Sequence, residues 1–199
     1  MSTLRRSQKN SAKHHTKGLH PRNIHQQGYD FQSLIKSYPQ LAPHIKTNAH
    51  GNPSIVFADP LAVKALNTAL LQYHYSVLDW DIPTGALCPP IPGRVDYIHY
   101  VAQLLGCTEL ATMPPDAHSK IKLLDIGTGA NGIYPLLACK IYGWDCVGSD
   151  INSQSLKNIA EVIAKNPTLN DSFTLRMQHD KNHIFEGVIK VGEYFDVSV

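Results

Sequence analysis

No stretch of this 199-residue chain approaches the roughly 20 uninterrupted apolar residues that span a bilayer, and its basic N-terminus lacks the apolar run of a secretory signal. These absences predict a soluble, cytoplasmic protein with no membrane partner. Cysteine is scarce. Cys88, Cys107, Cys139 and Cys146 form no C-x-x-C pair, which argues against a zinc site or a disulfide framework and for reduced core residues. The eleven histidines place no H-x-x-H or H-x-x-x-H pair on a segment with helical periodicity, so no metal is expected. Acidic residues are missing altogether before Asp30, where Arg5, Arg6, Lys9, Lys13, Lys17 and Arg22 stand without counter-charge.

That last absence divides the chain. The net charge is only +2, yet the part from Asp30 onward holds 12 basic against 16 acidic residues, so a mildly acidic body follows a strongly basic arm. Residues 1–29 carry little that is apolar and are expected to remain flexible, since they bury too little to offset the entropy of ordering. Three readings suit such an arm: a solvated end with no role, a transit peptide, or a polyanion-binding segment. It lacks the apolar helical face of a transit peptide, and clustered Lys and Arg gain affinity by releasing counterions from a phosphate backbone. The third reading makes Arg5, Arg6, Lys9, Lys13, Lys17 and Arg22 RNA-binding candidates.

With 43% hydrophobic residues the remainder can bury a core. Asp30 to Tyr38 predicts a short helix with Phe31, Leu34 and Ile35 on one side. Gly51-Asn52-Pro53 signals a turn before a strand at Ile55 to Phe57. Asp59 and Pro60 supply an N-cap and a first-turn proline for a helix bearing Ala62, Leu66, Ala69, Leu70 and Tyr73. Proline and turn residues from Trp80 to Pro92 predict a rigid loop. The next helix begins near Arg94 and aligns Val95, Ile98, Val101, Ala102 and Leu105, and 106–120 reads as a linker. Residues 30–119 therefore form a mainly helical N-terminal extension.

From residue 120 the pattern alternates strand and helix, the sign of a parallel sheet. Strands are predicted at Ile121 to Ile126, Asp145 to Gly148 and Phe173 to Met177. Helices are predicted from Gly132 to Ile141 and after Asn152 or Ser153, ending at Asn166-Pro167. A fourth strand starts at Tyr194. The expected fold is α/β, a Rossmann-like sheet at 120–199 truncated after its fourth strand. A half-built doubly wound sheet leaves apolar surface uncovered, which suggests a fragment.

Chemistry concentrates in Asp125-Ile126-Gly127-Thr128-Gly129-Ala130-Asn131-Gly132. At a strand-to-helix turn, glycines admit positive φ and close ligand approach, and the helix N-terminus offers free amides. This G-x-G-x-x-G spacing serves nicotinamide, flavin and S-adenosylmethionine enzymes alike. Three details favour S-adenosylmethionine. Asp125 stands two residues before the first glycine, where a carboxylate can hold a cationic methionyl group. Asp150 follows 25 residues later, where a carboxylate can accept ribose hydroxyls, although NAD proteins share this feature. The first sheet strand also comes late, after about 120 residues.

Together with Leu19-His20-Pro21-Arg22-Asn23, Phe57 to Leu66, Trp80-Asp81-Ile82-Pro83 and Pro89 to His99, the run from Asp125 to Leu137 resembles the RlmF family of ribosomal RNA adenine-N6 methyltransferases and its eukaryotic methyltransferase-like relatives. The resemblance implies a class I methyltransferase fold, S-adenosyl-L-methionine as cofactor, ribosomal RNA as partner and a monomer. It implies that Arg94 reaches the cofactor carboxylate, that Gly127, Gly129 and Asn131 lie along the methionyl and ribose region, that Asp150 binds the ribose, and that Asp180 meets the adenine amine. In the family, an Asn-Pro-Pro-Phe motif follows the fourth strand and places the target base. The chain ends at Val199 before such a motif, so no catalytic residue is nominated and the chain alone is expected to be inactive. The rival readings are a non-catalytic RNA-binding module with this fold and a nicotinamide-dependent oxidoreductase.

Overall fold

The computed structural model describes residues 18–107 and 120–199. Arg5, Arg6, Lys9, Lys13 and Lys17 of the expected arm, and nearly all of the expected linker, lie outside the described residues.

Helix α1 (Phe31–Ser37) starts at Asp30, whose carboxylate accepts from the Gln32 and Ser33 amides as an N-cap. A 3₁₀ turn, Pro39–His44, leads into a hairpin of β1 (Ile45–Thr47) and β2 (Pro53–Ile55), paired antiparallel with Ile45 opposite Ile55. The expected strand at 55–57 thus lies two residues earlier, because the pairing with β1 sets its register. Asp59 caps α2 (Pro60–Tyr75), and α3 spans Ile91–Leu104. The loop from Trp80 ends at Pro90 rather than Pro92. Proline is tolerated in a first turn, where its missing N–H has no helical partner, so Pro92 sits inside α3.

The second half alternates as expected: β3 (Lys122–Ile126), α4 (Ile133–Tyr142), β4 (Asp145–Asp150), α5 (Ser153–Ala164), β5 (Phe173–Met177) and a short β6 (Val197–Ser198). All four strands are parallel, in the order β5-β4-β3-β6. Successive side chains leave a strand on opposite faces. Leu123 and Cys146 enter the large core shared with α2, α3 and α4, whereas their neighbours Leu124 and Val147 meet Val188, Ile189 and Phe195 on the other face. That core runs continuously from Leu34 to Phe173, so the helical extension and the sheet pack as one unit. Among the described residues no helix is long and apolar enough to cross a membrane.

Residues 18–29 correct the boundary of the expected free arm. His20, Asn23 and His25 are buried. Asn23 donates its side-chain amide to Pro92 O at 2.9 Å, and His25 Nε2 meets Tyr75 Oη at 2.8 Å. Arg22, expected to hold RNA, is turned inward. It donates to Cys107 O at 2.8 Å and His99 O at 3.2 Å, with its guanidinium 5.6 Å from the Tyr142 ring centroid. The segment is ordered by polar side chains whose partners lie in α2, α3 and the turn after α3, a source of binding energy that its apolar content does not register.

Candidate functional site

The site grows from the turn between β3 and α4, at the carboxyl end of the sheet where open α/β folds receive ligands. Gly127 and Gly129 hold φ of 77° and 64°, a left-handed region that a side chain would strain. The Gly127 and Thr128 amides both donate to Ser149 O, at 2.8 and 2.9 Å, tying the turn to β4. Asp150, at the end of β4, accepts from Gly129 N and from Asn152 N, each at 2.8 Å. Asn152 in turn caps α5, and Asn131 Oδ1 accepts from Ile133 N at the start of α4. One carboxylate therefore links the glycine turn to the helix that follows β4.

Two cavities open on either side of Gly127. One, of about 420 Å³, is lined by Leu87, Gly129, Asn131, Asn152 and Ser155 among others. The second, of about 240 Å³, is lined by Ile126, Asp150, Ile151, Gln178, Lys181 and Ile184. The outer wall of the first comes from the proline-rich loop, which is clamped to the turn. Trp80 Nε1 donates to Asn131 O at 2.9 Å, and Asn158 Nδ2 donates to Asp81 O at 2.8 Å and Ala130 O at 2.7 Å. Lys64 pairs with Asp81 behind it.

Charge is distributed unevenly here. Asp125 is 5% exposed, and burial, with the negative charge of Asp150 adding to it, lifts its carboxyl to about 6. The buried Thr128 hydroxyl hydrogen-bonds the Asp125 carboxylate and opposes that rise. Arg94, in the first turn of α3, has no ion-pair partner among the described residues; its guanidinium lies 5.4 Å from the Tyr134 ring centroid. Tyr134 meets Tyr97 at 5.0 Å between centroids. Burial raises the Tyr97 hydroxyl, and Tyr134 and Asp125 raise it further, which links this face of α3 to the carboxylate under the turn.

The structure thus places Gly129 and Asn131 on the wall of the first cavity, Asp150 on the wall of the second and Gly127 on both, with Asp125 buried at the end of β3. Arg94 is seated on Tyr134 and does not line either cavity. Asp180 is held by its neighbours on a surface turn. Its carboxylate accepts from Asn182 N at 2.8 Å and meets His183 Nδ1 at 2.7 Å, contacts that also lower its pKa, and it lines neither cavity. Gln178 and Lys181 stand there instead. Gln178 is 5% exposed and accepts from Asp180 N at 2.7 Å, so the same short segment reaches the groove through a different residue. Leu87, Ile151 and Tyr134 were not anticipated. An apolar residue directly after the strand-ending Asp150 is a usable signal for Ile151, whereas Tyr134 has none in the local sequence.

A separate cavity of about 200 Å³ lies toward the other end of α4, lined by Arg22, His74, Tyr75, His99 and Lys140 among others. Most of its polar groups are already engaged: His99 Nδ1 meets Tyr142 Oη at 2.7 Å and Lys140 Nζ donates to Thr168 Oγ1 at 2.8 Å. Burial, assisted by neighbouring histidines, holds His25 and His99 at about 4, so both are neutral at pH 7. Among the described residues no group of three or more His, Cys, Asp or Glu could hold a metal ion.

Known proteins resemble this chain. Ribosomal RNA large subunit methyltransferase F of Saccharophagus degradans is 54% identical over 98% of this chain and 62% of its own length, and its namesake in Shewanella denitrificans is 57% identical over 95% and 51%. The chain therefore spans between about half and three fifths of these relatives. Among solved structures, the N-terminal domain of human METTL16 in complex with SAH superposes with a TM-score of 0.78 at 29% identity, covering 90% of this chain and 67% of that one. The hMettl16 catalytic domain in complex with MAT2A 3'UTR hairpin 6 gives 0.71 at 32% identity, over 83% and 55%. The sheet is thus that of a Rossmann-like methyltransferase. A family model described as RNA methyltransferase matches residues 13–199, and the chain belongs to that family.

Proposed function

We propose that this chain is the cofactor-holding part of an S-adenosylmethionine-dependent methyltransferase that modifies the N6 amine of an adenine in large-subunit ribosomal RNA. The observation that supports the reading is the set of opposite charges about the glycine turn and the start of α4. Two carboxylates, Asp125 and Asp150, lie at the glycine turn, and a guanidinium without a carboxylate partner among the described residues stands nearby. A ligand that bears a cationic methionyl group, a carboxylate and a ribose suits all three. Arg94 takes the carboxylate in a charge-assisted fork, Asp125 faces the ammonium, Gly127 and Asn131 approach the chain between them, and Asp150 accepts from the ribose. Asp180, on the segment that follows Gln178 beside the second cavity, meets the adenine amine. When bound, the cofactor supplies a methyl group on a sulfonium.

The names of the relatives support ribosomal RNA as substrate, and a cytoplasmic protein fits that partner. The basic residues from Arg5 to Lys17 supply phosphate contacts, so deleting residues 1–17 lowers RNA affinity and the steepness of its salt dependence. The cofactor assignment is tested by calorimetry with S-adenosylmethionine, S-adenosylhomocysteine and NAD. Binding of the first two and not the third is expected. Equal or tighter NAD binding overturns the assignment and returns the site to the nicotinamide reading.

A further inference from the structure

Arg94 is central to the proposed site, yet its surroundings do little to hold a cation. It lies in the first turn of α3, and its guanidinium reaches Tyr134, the second residue of α4. Helix N-termini carry partial positive charge, so both helix ends disfavour a guanidinium there. No carboxylate among the described residues lies within ion-pair distance of it. A side chain with this much rotamer freedom would sample water unless something seated it. The Tyr134 ring, 5.4 Å from guanidinium carbon to centroid, provides an electron-rich face at cation–π distance. Tyr97, three residues beyond Arg94 on the same face of α3, packs against that ring at 5.0 Å and 51°.

We propose that Tyr134 is a positioning residue of the cofactor site: its ring seats the Arg94 guanidinium beside the glycine turn, oriented for a ligand carboxylate, and Tyr97 braces the ring from α3. The proposal rests on Arg94 as the carboxylate partner. It adds that the orientation exists before the ligand arrives, because a ring attracts the cation without consuming the N–H donors that a carboxylate needs. A carboxylate in the same place would have occupied the fork. The seat also couples α3 to α4, so the cofactor's amino-acid end senses the packing of the helical extension on the sheet.

Two ligands separate a seating role from simple packing. S-adenosylhomocysteine carries the amino-acid carboxylate, whereas 5'-deoxy-5'-methylthioadenosine keeps the nucleoside and thioether without it. Calorimetry on the 199-residue chain is expected to show Tyr134→Leu weakening S-adenosylhomocysteine about five- to tenfold while leaving methylthioadenosine within about twofold of wild type. Tyr134→Phe, which keeps the ring, retains both affinities. Added to Arg94→Met, Tyr134→Leu produces no further loss, because it acts through the guanidinium. Equal weakening of both ligands by Tyr134→Leu, or no change in S-adenosylhomocysteine affinity while Arg94→Met loses it, overturns the proposal. If Arg94→Met itself leaves that affinity unchanged, the carboxylate assignment fails and the seat fails with it. Melting temperatures of each variant confirm that the compared proteins are folded.

Discussion

Buried titratable groups gather at both ends of α4, and the two ends treat them in opposite ways. Around the C-terminal end, His99 meets Tyr142, His25 meets Tyr75, and Arg22 donates to two backbone carbonyls. At the N-terminal end, Asp125 is held beside Asp150, and Arg94 rests on a ring. A structural joint closes its own hydrogen bonds, while a ligand site leaves some for the ligand to complete. Burial alone separates neither; the closing partner does.

Exchanging the roles of the two arginines gives the largest effect. Arg22→Met leaves the Cys107 and His99 carbonyls without that donor and removes a ring contact, and should lower unfolding free energy by about 3 kcal/mol in urea titrations with S-adenosylhomocysteine affinity unchanged below the transition. Arg94→Met should do the reverse, retaining stability and losing affinity. Equal stability losses would dissolve the distinction.

Acidification should act nearly as strongly on the joint. The folded state holds His25 and His99 at about 4 against an ordinary 6.5, so the unfolded chain takes up protons first. Stability is full above pH 6.5 and declines as the pH falls toward 4, by about 3 kcal/mol for each histidine. Asp125 works in the opposite direction. Its carboxyl, raised from 3.8 to about 6, disfavours folding fully above pH 6 and relieves that penalty as the pH falls through the same window. Asp125→Asn should accordingly stabilise the protein at pH 7.5 by about 2 kcal/mol, weaken S-adenosylmethionine binding, and make the acid-induced loss steeper than in wild type. Urea midpoints at pH 7.5 and 4.5 for both proteins check each sign.

The smallest effect is expected at the loop clamp. Asn158→Ala releases Asp81 O and Ala130 O from one amide and should lower stability by about 1 kcal/mol, with a few-fold loss of cofactor affinity as the wall around Leu87 loosens. An unchanged affinity would remove the loop from the binding account.

The N-terminal end of α4 was largely readable in the sequence, because its signals are local. Glycine spacing, Asp125 and Asp150 lie within one strand-turn-helix-strand unit, and the caps at Asp30, Asp59 and Asn152 fall where their residue types predict. The C-terminal joint was not readable. His20, Arg22 and Asn23 find partners 69 to 85 residues away, and a segment of His, Asn and Arg looks unfoldable until those partners are known. The same reasoning explains the hairpin, where Ile45 sets the register of Ile55 across a turn. Tyr134 was missed because its importance comes from Arg94 on another helix.

The central claim is that the carboxylate beneath the glycine turn is held for a cationic ligand. The most direct measurement is the affinity for S-adenosylmethionine between pH 5 and 8, in wild type and Asp125→Asn. The ligand's positive charge favours ionised Asp125, so affinity should tighten as the pH rises through about 6 and level off above it, and the variant should lose that dependence. An affinity that does not vary with pH, or that varies identically in Asp125→Asn, would contradict the account.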